Sequence, residues 1–177
     1  MMNQKNIPIL HMLDNFQKRR PISFHVPGHK NGQVFPEEAV AHFKEILKLD
    51  MTELPGLDDL HAPEEAIAEA ERLTREFFKS DHSFFLVGGS TAGNLAMILA
   101  VCKDGDKVLV QRNSHKSIIN GLELAGAHPI FLTPQFDKTA QRFTSPSLET
   151  LKEALEKYPD VKAVILTYPD YFGKTYE

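Results

Sequence analysis

The chain has 177 residues, 42% hydrophobic and 25% charged, a balance that suits a globular fold with a sizeable core. A formal net charge of −4 advertises no nucleic-acid surface, a single cysteine (Cys102) excludes an intrachain disulfide, and no apolar run is long enough to span a membrane. The N-terminus is polar and carries no signal-like apolar stretch, so the cytoplasm is the expected compartment.

The first predicted element is a short amphipathic helix, Ile9 to Lys18, with Leu10, Leu13 and Phe16 on its apolar side. Pro21 to Gly32 holds two prolines and two glycines and reads as an irregular loop carrying His25, His29 and Lys30. Such a loop is a candidate site, or a surface turn with incidental basic residues. His25 and His29 are four apart, but Pro27 and Gly28 oppose a helix and no carboxylate lies between them. The spacing therefore gives no zinc site of the H-E-x-x-H kind, and no metal is assigned. Pro36 to Leu47 is predicted helical, with Val40, Phe43 and Leu47 on one face. The acidic, turn-rich stretch Asp50 to Pro63, with Asp58 and Asp59, reads as a solvated loop, a cation subsite being the alternative. Glu64 to Lys79 is a helix striped by Ala66, Ala70, Leu73 and Phe77, with Glu71 and Arg75 an i,i+4 pair.

From residue 82 the pattern alternates strand and helix. Strands are expected at Ser83–Val87, Lys107–Gln111, Pro129–Leu132 and Ala163–Thr167. Helices are expected at Thr91–Val101, at Ser117–Ala125 with Gly126 ending it, and at Leu148–Tyr158. Short apolar strands joined by helices predict an α/β fold with a mostly parallel sheet covered by helices. Ligands gather at the carboxyl ends of such strands, here Gly88–Thr91, Arg112–Lys116 and Thr167–Tyr171. Cys102 sits in an apolar helical run and reads as buried packing. The chain closes on a strong strand and a turn-like exit, Tyr168 to Gly173, an ending expected of a piece of a longer domain.

The run Phe84 to Asn94 carries most of the functional signal. A strand, a glycine turn and a hydroxyl-rich helix start offer unpaired N–H groups to an anion, with Ser90 and Thr91 adding hydroxyls and Ala92 and Gly93 allowing close approach. The run matches neither the G-x-G-x-x-G dinucleotide pattern nor the P-loop. An ordinary Ser/Thr-capped helix is the other reading. His115 follows the next strand and could stack on a planar ligand or act as acid or base. Alternatively, Asn113 or Ser114 caps the helix and His115 is simply solvated. Tyr168, Pro169 and Tyr171 read as rim residues.

Five segments taken together resemble the Orn/Lys/Arg decarboxylases, pyridoxal-phosphate enzymes of the aspartate-aminotransferase fold (fold type I). They are Ser23 to Lys30, Thr52 to His61, Gly88 to Asn94, Asn113 to Ser117 and Thr167 to Gly173, in order over nearly the whole chain. The resemblance is to the N-terminal part of the family's short form, which lacks a receiver-like wing domain and acts on arginine. It implies an incomplete large domain: residues 1–63 an N-terminal segment with active-site-entrance loops, residues 64–177 the first part of the cofactor-binding domain. It also implies pyridoxal 5'-phosphate as cofactor, its phosphate held by Ser90, Thr91 and Ala92, with His115 stacked on the pyridine ring as a catalytic residue. A basic amino acid as substrate and a homodimer or assembly of dimers follow likewise, with no nucleic-acid or membrane partner.

The family's pyridine-pairing aspartate and its Schiff-base lysine, in a Ser-x-His-Lys segment, match nothing here; neither Lys30 nor Lys116 fits that lysine. The fragment alone is therefore expected to be inactive. The resemblance also places strands from later sequence between Phe84–Val87 and Ala163–Thr167. A related fold-type-I aminotransferase or lyase, and a non-catalytic remnant acting by binding, are the alternatives.

Overall fold

The computed structural model describes residues 4–175, which divide into two compact units, one ending at Phe85 and one beginning at Leu86. Among the described residues no helix is long and apolar enough to cross a membrane.

The first unit is helical. Helix α1 (Pro8–Lys18) opens on a proline whose missing N–H costs nothing in the first turn, and it buries Phe16. Helices α2 (Glu37–Leu47) and α3 (Ala66–Phe78) follow, with α1 packed on α3. The Pro21–Gly32 loop is irregular, as its composition predicts. His29 organises it: Nδ1 accepts the Gly32 N–H at 3.2 Å, which leaves Nε2 to donate to Asp50 Oδ2 at 3.1 Å. Lys30 Nζ turns back onto the His25 carbonyl.

The second unit holds the sheet. Helix α4 (Gly89–Val101) leads to β1 (Lys107–Gln111), α5 (Lys116–Ala125) and β2 (His128–Leu132). A small hairpin, β3 (Phe136–Asp137) with β4 (Arg142–Phe143), precedes α6 (Leu148–Lys157) and β5 (Ala163–Ile165). The sheet is parallel in the order β2-β1-β5, with Val108 beside Pro129 on one side and Ala163 on the other. The central strand is buried on both faces. Val108 and Val110 meet Ile98 of α4 and Ile118 and Leu122 of α5, while Leu109 alternates to the opposite face and is also fully buried. Gly121 permits the α4–α5 approach: a Cβ there would lie 2.7 Å from Ile98 Cδ1. Gly126 ends α5 in the left-handed region at φ 67°.

Four sequence expectations need correction. Ser83–Val87 forms no strand among the described residues. It joins no sheet, since a strand exists only with a neighbour to exchange backbone hydrogen bonds; Phe84 and Val87 are 75% and 84% exposed, and Val87 already belongs to the turn that leads into α4. Helix α4 starts two residues before Thr91, since Gly89 takes φ 67° and completes the turn early. The last strand stops at Ile165, two residues before Thr167, and the 136–143 hairpin was not foreseen. Cys102 is buried as expected; burial, with Asp106 nearby, pushes its thiol pKa up, against a nucleophilic role.

Ile98 has no exposed surface and lies at the centre of the α4–α5–sheet contact. Ile98→Ala is expected to destabilise the second unit by about 3 kcal/mol through lost burial and a residual cavity. Urea unfolding followed by circular dichroism measures this; a loss below about 1 kcal/mol would show that the two helices pack without depending on this contact.

Candidate functional site

The carboxyl ends of β1 and β5 are spliced by one buried side chain. Gln111, 1% exposed, donates from Nε2 to Asn113 Oδ1 at 2.9 Å and accepts the Thr167 N–H on Oε1 at 3.2 Å. Asn113 in turn donates to the Thr144 carbonyl at 3.0 Å. Beyond these ends lies a cavity of about 280 Å³, lined among others by Ser114, His115, Thr167 and Asp170. Asp170, 8% exposed, accepts the N–H groups of Phe172 and Lys174 on Oδ1, each at 2.9 Å, and so locks the turn after β5. Tyr168 and Tyr171 stand exposed.

His115 is the N-cap of α5, and its Nδ1 accepts the Ser117 N–H at 3.2 Å. Neither Asn113 nor Ser114 caps the helix. The expectation that one of them does overlooks that a neutral imidazole nitrogen accepts an N–H as an Asx or Ser oxygen would. Ser117 Oγ lies 2.8 Å from His115 Nδ1 and receives Asn94 Nδ2 at 2.7 Å. The start of α5 is thereby tied to the first turns of α4.

That end of α4 carries Ser90, Thr91 and Ala92. Its N-cap is Gly88, which has no side chain to offer, and no side chain caps the helix. Ser90 and Asn94 are four apart and share a face, so the hydroxyl-bearing turn and the His115 cap are joined through Asn94 and Ser117. The donor set fits a phosphate with a planar ring attached: an uncapped helix end with two hydroxyls for the anion, and an imidazole for the ring. Ser114 Oγ, buried next to His115 in sequence, has no protein partner among the described residues and is a further donor for a bound group.

The acidic loop resolves differently from either sequence reading. Asp58 accepts the N–H groups of Asp59 and Glu64 on Oδ1 (2.9 and 3.0 Å) and those of Glu65 and Ile67 on Oδ2 (3.0 and 2.8 Å). It caps α3 from outside the helix, since Glu65 at the N-cap makes no side-chain bond. Burial alone would raise its pKa, but the backbone donors outweigh burial and hold it at about 2. Sequence reading missed this role because the donors lie up to ten residues downstream. It also missed Asn94, Ser117 and Gln111; a serine two positions after a helix-opening histidine was the available signal for Ser117.

Comparison with known proteins fits this geometry. Residues 7–177 match the major domain of the Orn/Lys/Arg decarboxylases, and the chain belongs to that family. YaaO of Bacillus subtilis (strain 168) is 50% identical over 168 residues, covering 95% of this chain and 35% of that protein. An arginine decarboxylase of the same organism is 39% identical over 173 residues, covering 97% of this chain and again 35% of the relative. The chain thus spans about a third of the length of these relatives. The constitutive lysine decarboxylase of E. coli superposes with a TM-score of 0.72 at 20% identity, over 94% of this chain and 25% of that one. The fold is that of the aminotransferase-like pyridoxal-phosphate enzymes.

Asp58→Ala is expected to cost the first unit about 1–2 kcal/mol near neutral pH. The folded carboxyl titrates at about 2, below its ordinary 3.8, so its stabilisation is full above about pH 4 and is lost as pH falls through about 2. Denaturation of both proteins at about pH 7 and about pH 3 should show the gap narrowing in acid. A gap independent of pH would mean that Asp58 acts without its charge.

Proposed function

We propose that this chain is the N-terminal part of a pyridoxal-phosphate-dependent decarboxylase of a basic amino acid, converting arginine to agmatine and CO2. One observation carries the reading: the uncapped, hydroxyl-bearing end of α4 is hydrogen-bonded through Asn94 and Ser117 to the imidazole that opens α5. The 39% identity to an arginine decarboxylase supports arginine over the other basic amino acids.

In this reading the N–H groups of Ser90, Thr91 and Ala92 and two hydroxyls hold the cofactor phosphate at the positive end of α4. Bound there, the cofactor supplies an electron sink for the pair left by CO2 loss. His115 would stack on the cofactor's ring and serve as the catalytic residue of this chain. With Nδ1 occupied by the Ser117 N–H, the proton of the neutral ring is held at Nε2. The pyridine-pairing aspartate and the cofactor-binding lysine come from sequence that the longer relatives have beyond this stretch, and the working protein is a homodimer or an assembly of dimers.

In the complete protein, Thr91→Val should weaken cofactor retention roughly tenfold while leaving the fold intact, by loss of a hydrogen bond to a charged group. Cofactor titration followed by absorbance measures it, and an unchanged affinity would remove Thr91 from the phosphate site.

Residues 1–177 alone should form no agmatine from arginine and pyridoxal phosphate, because the chain contains no Ser-x-His-Lys segment. The complete protein should form it. Sustained product from the fragment above a matched blank would overturn its reading as an incomplete enzyme. Failure of the complete protein on arginine, lysine and ornithine alike would overturn the decarboxylase reading.

A further inference from the structure

The geometry points to Asn94 and Ser117 as positioning residues that lock His115 in one neutral tautomer, with its proton on Nε2. The inference deepens the reading of the site given above and rests on it for its functional meaning. It concerns which proton the imidazole can hold and which nitrogen it can turn to a ligand.

Ser117 is 2% exposed and commits both its backbone N–H and its hydroxyl to the same neighbour. The backbone N–H meets His115 Nδ1 at 3.2 Å. An amide N–H has no lone pair and can only donate, so Nδ1 must accept. The hydroxyl oxygen stands 2.8 Å from that nitrogen and receives the Asn94 amide at 2.7 Å. With Nδ1 accepting the Ser117 N–H and therefore unprotonated, the 2.8 Å contact is a hydrogen bond only with the hydroxyl as donor, and the Asn94 amide occupies a lone pair on its oxygen. Two hydrogens from one residue therefore converge on the Nδ1 lone pair, and the ring's proton is left to Nε2. Moving it to Nδ1 would set it against the Ser117 N–H, which the α5 backbone holds in place.

Asn94 reaches this point from a different helix, 23 residues earlier. It sits one turn beyond Ser90 on α4, so the helix that carries the hydroxyl-bearing turn is fastened through this side chain to the imidazole's partner. His115 lines the cavity beyond the strand ends, and among the described residues no protein group is bonded to its Nε2. An imidazole locked this way presents an N–H and never a bare lone pair from Nε2 while neutral. Neither Asn94 nor Ser117 is placed against substrate or cofactor; both act through His115.

The test is magic-angle-spinning NMR on 15N-histidine-labelled protein at its full encoded length, with no cofactor or substrate present. The His115 signals are assigned by their loss in His115→Gln. The wild type should show the neutral ring almost wholly as the Nε2–H form. Ser117→Ala should raise the Nδ1–H form roughly 3- to 10-fold, the size of one hydrogen bond. Asn94→Asp should raise it as well, because a carboxylate draws the Ser117 hydroxyl proton away from the ring. Ser117→Thr, which keeps the hydroxyl, should restore the wild-type ratio. An abundant Nδ1–H form in the wild type would overturn the inference without any variant. So would an unchanged ratio in folded Ser117→Ala and Asn94→Asp proteins. The measurement needs no catalysis, so a locked ring in a protein that decarboxylates nothing would uphold the lock and sink only the enzymatic reading. An active decarboxylase with mixed His115 tautomers would do the reverse.

Discussion

A helix begins with N–H groups that its own backbone cannot pair, and the way each start meets that constraint sorts this chain into scaffold and site. Helices α1 and α2 open at prolines. Helix α6 is capped by Ser147, whose hydroxyl accepts the Thr150 N–H. Helix α3 is closed by the Asp58 carboxylate, an anion supplied from the preceding loop. Helix α5 is closed by His115, which uses one ring nitrogen for structure and keeps the other. Among the described helices of the sheet-bearing unit, α4 alone opens with a residue that has no side chain at the cap. The same physics that makes Asp58 a structural anion at α3 underlies the proposal that the start of α4 receives a ligand's anion.

The core sets the distance between these last two ends. Helices α4 and α5 approach closely because Gly121 has no side chain to hold Ile98 away. The approach brings Asn94 within 2.7 Å of Ser117. A bulkier residue at 121 would act on the site without touching it, by parting the helices that carry the two halves. Gln111 plays a parallel part on the sheet, tying the ends of β1 and β5 so that the Asn113–His115 loop and the Asp170 turn border one cavity.

Much of this was legible in sequence, and the reason is range. Helices α5 and α6 and strands β1 and β2 announce themselves by apolar periodicity and by local stops such as Gly126. The parallel sheet follows from their alternation, and the expectation of a site at its carboxyl ends follows from the sheet. The contacts that give the site its chemistry are not periodic. Asp58 reaches donors up to ten residues away, Asn94 an oxygen 23 residues away, and Gln111 an N–H 56 residues away. Polar residues that bond across such spans look in sequence like ordinary surface residues.

Ser83–Val87 shows the opposite failure, a strong local pattern without its structure. Its apolar run satisfies every propensity for a strand, yet propensity supplies no partner for the backbone. The turn that follows does not wait for that partner. Leu86 folds onto α4, so close to Gly93 that a Cβ there would lie 2.7 Å from Leu86 Cδ1, and Gly89 takes the positive φ that starts the helix. The start of α4 is therefore shaped by contacts within residues 86–93, and Asn94, the next residue, fastens it to Ser117. Pairing of the 83–87 segment would steady this turn, but the turn and the link to His115 are already specified without it.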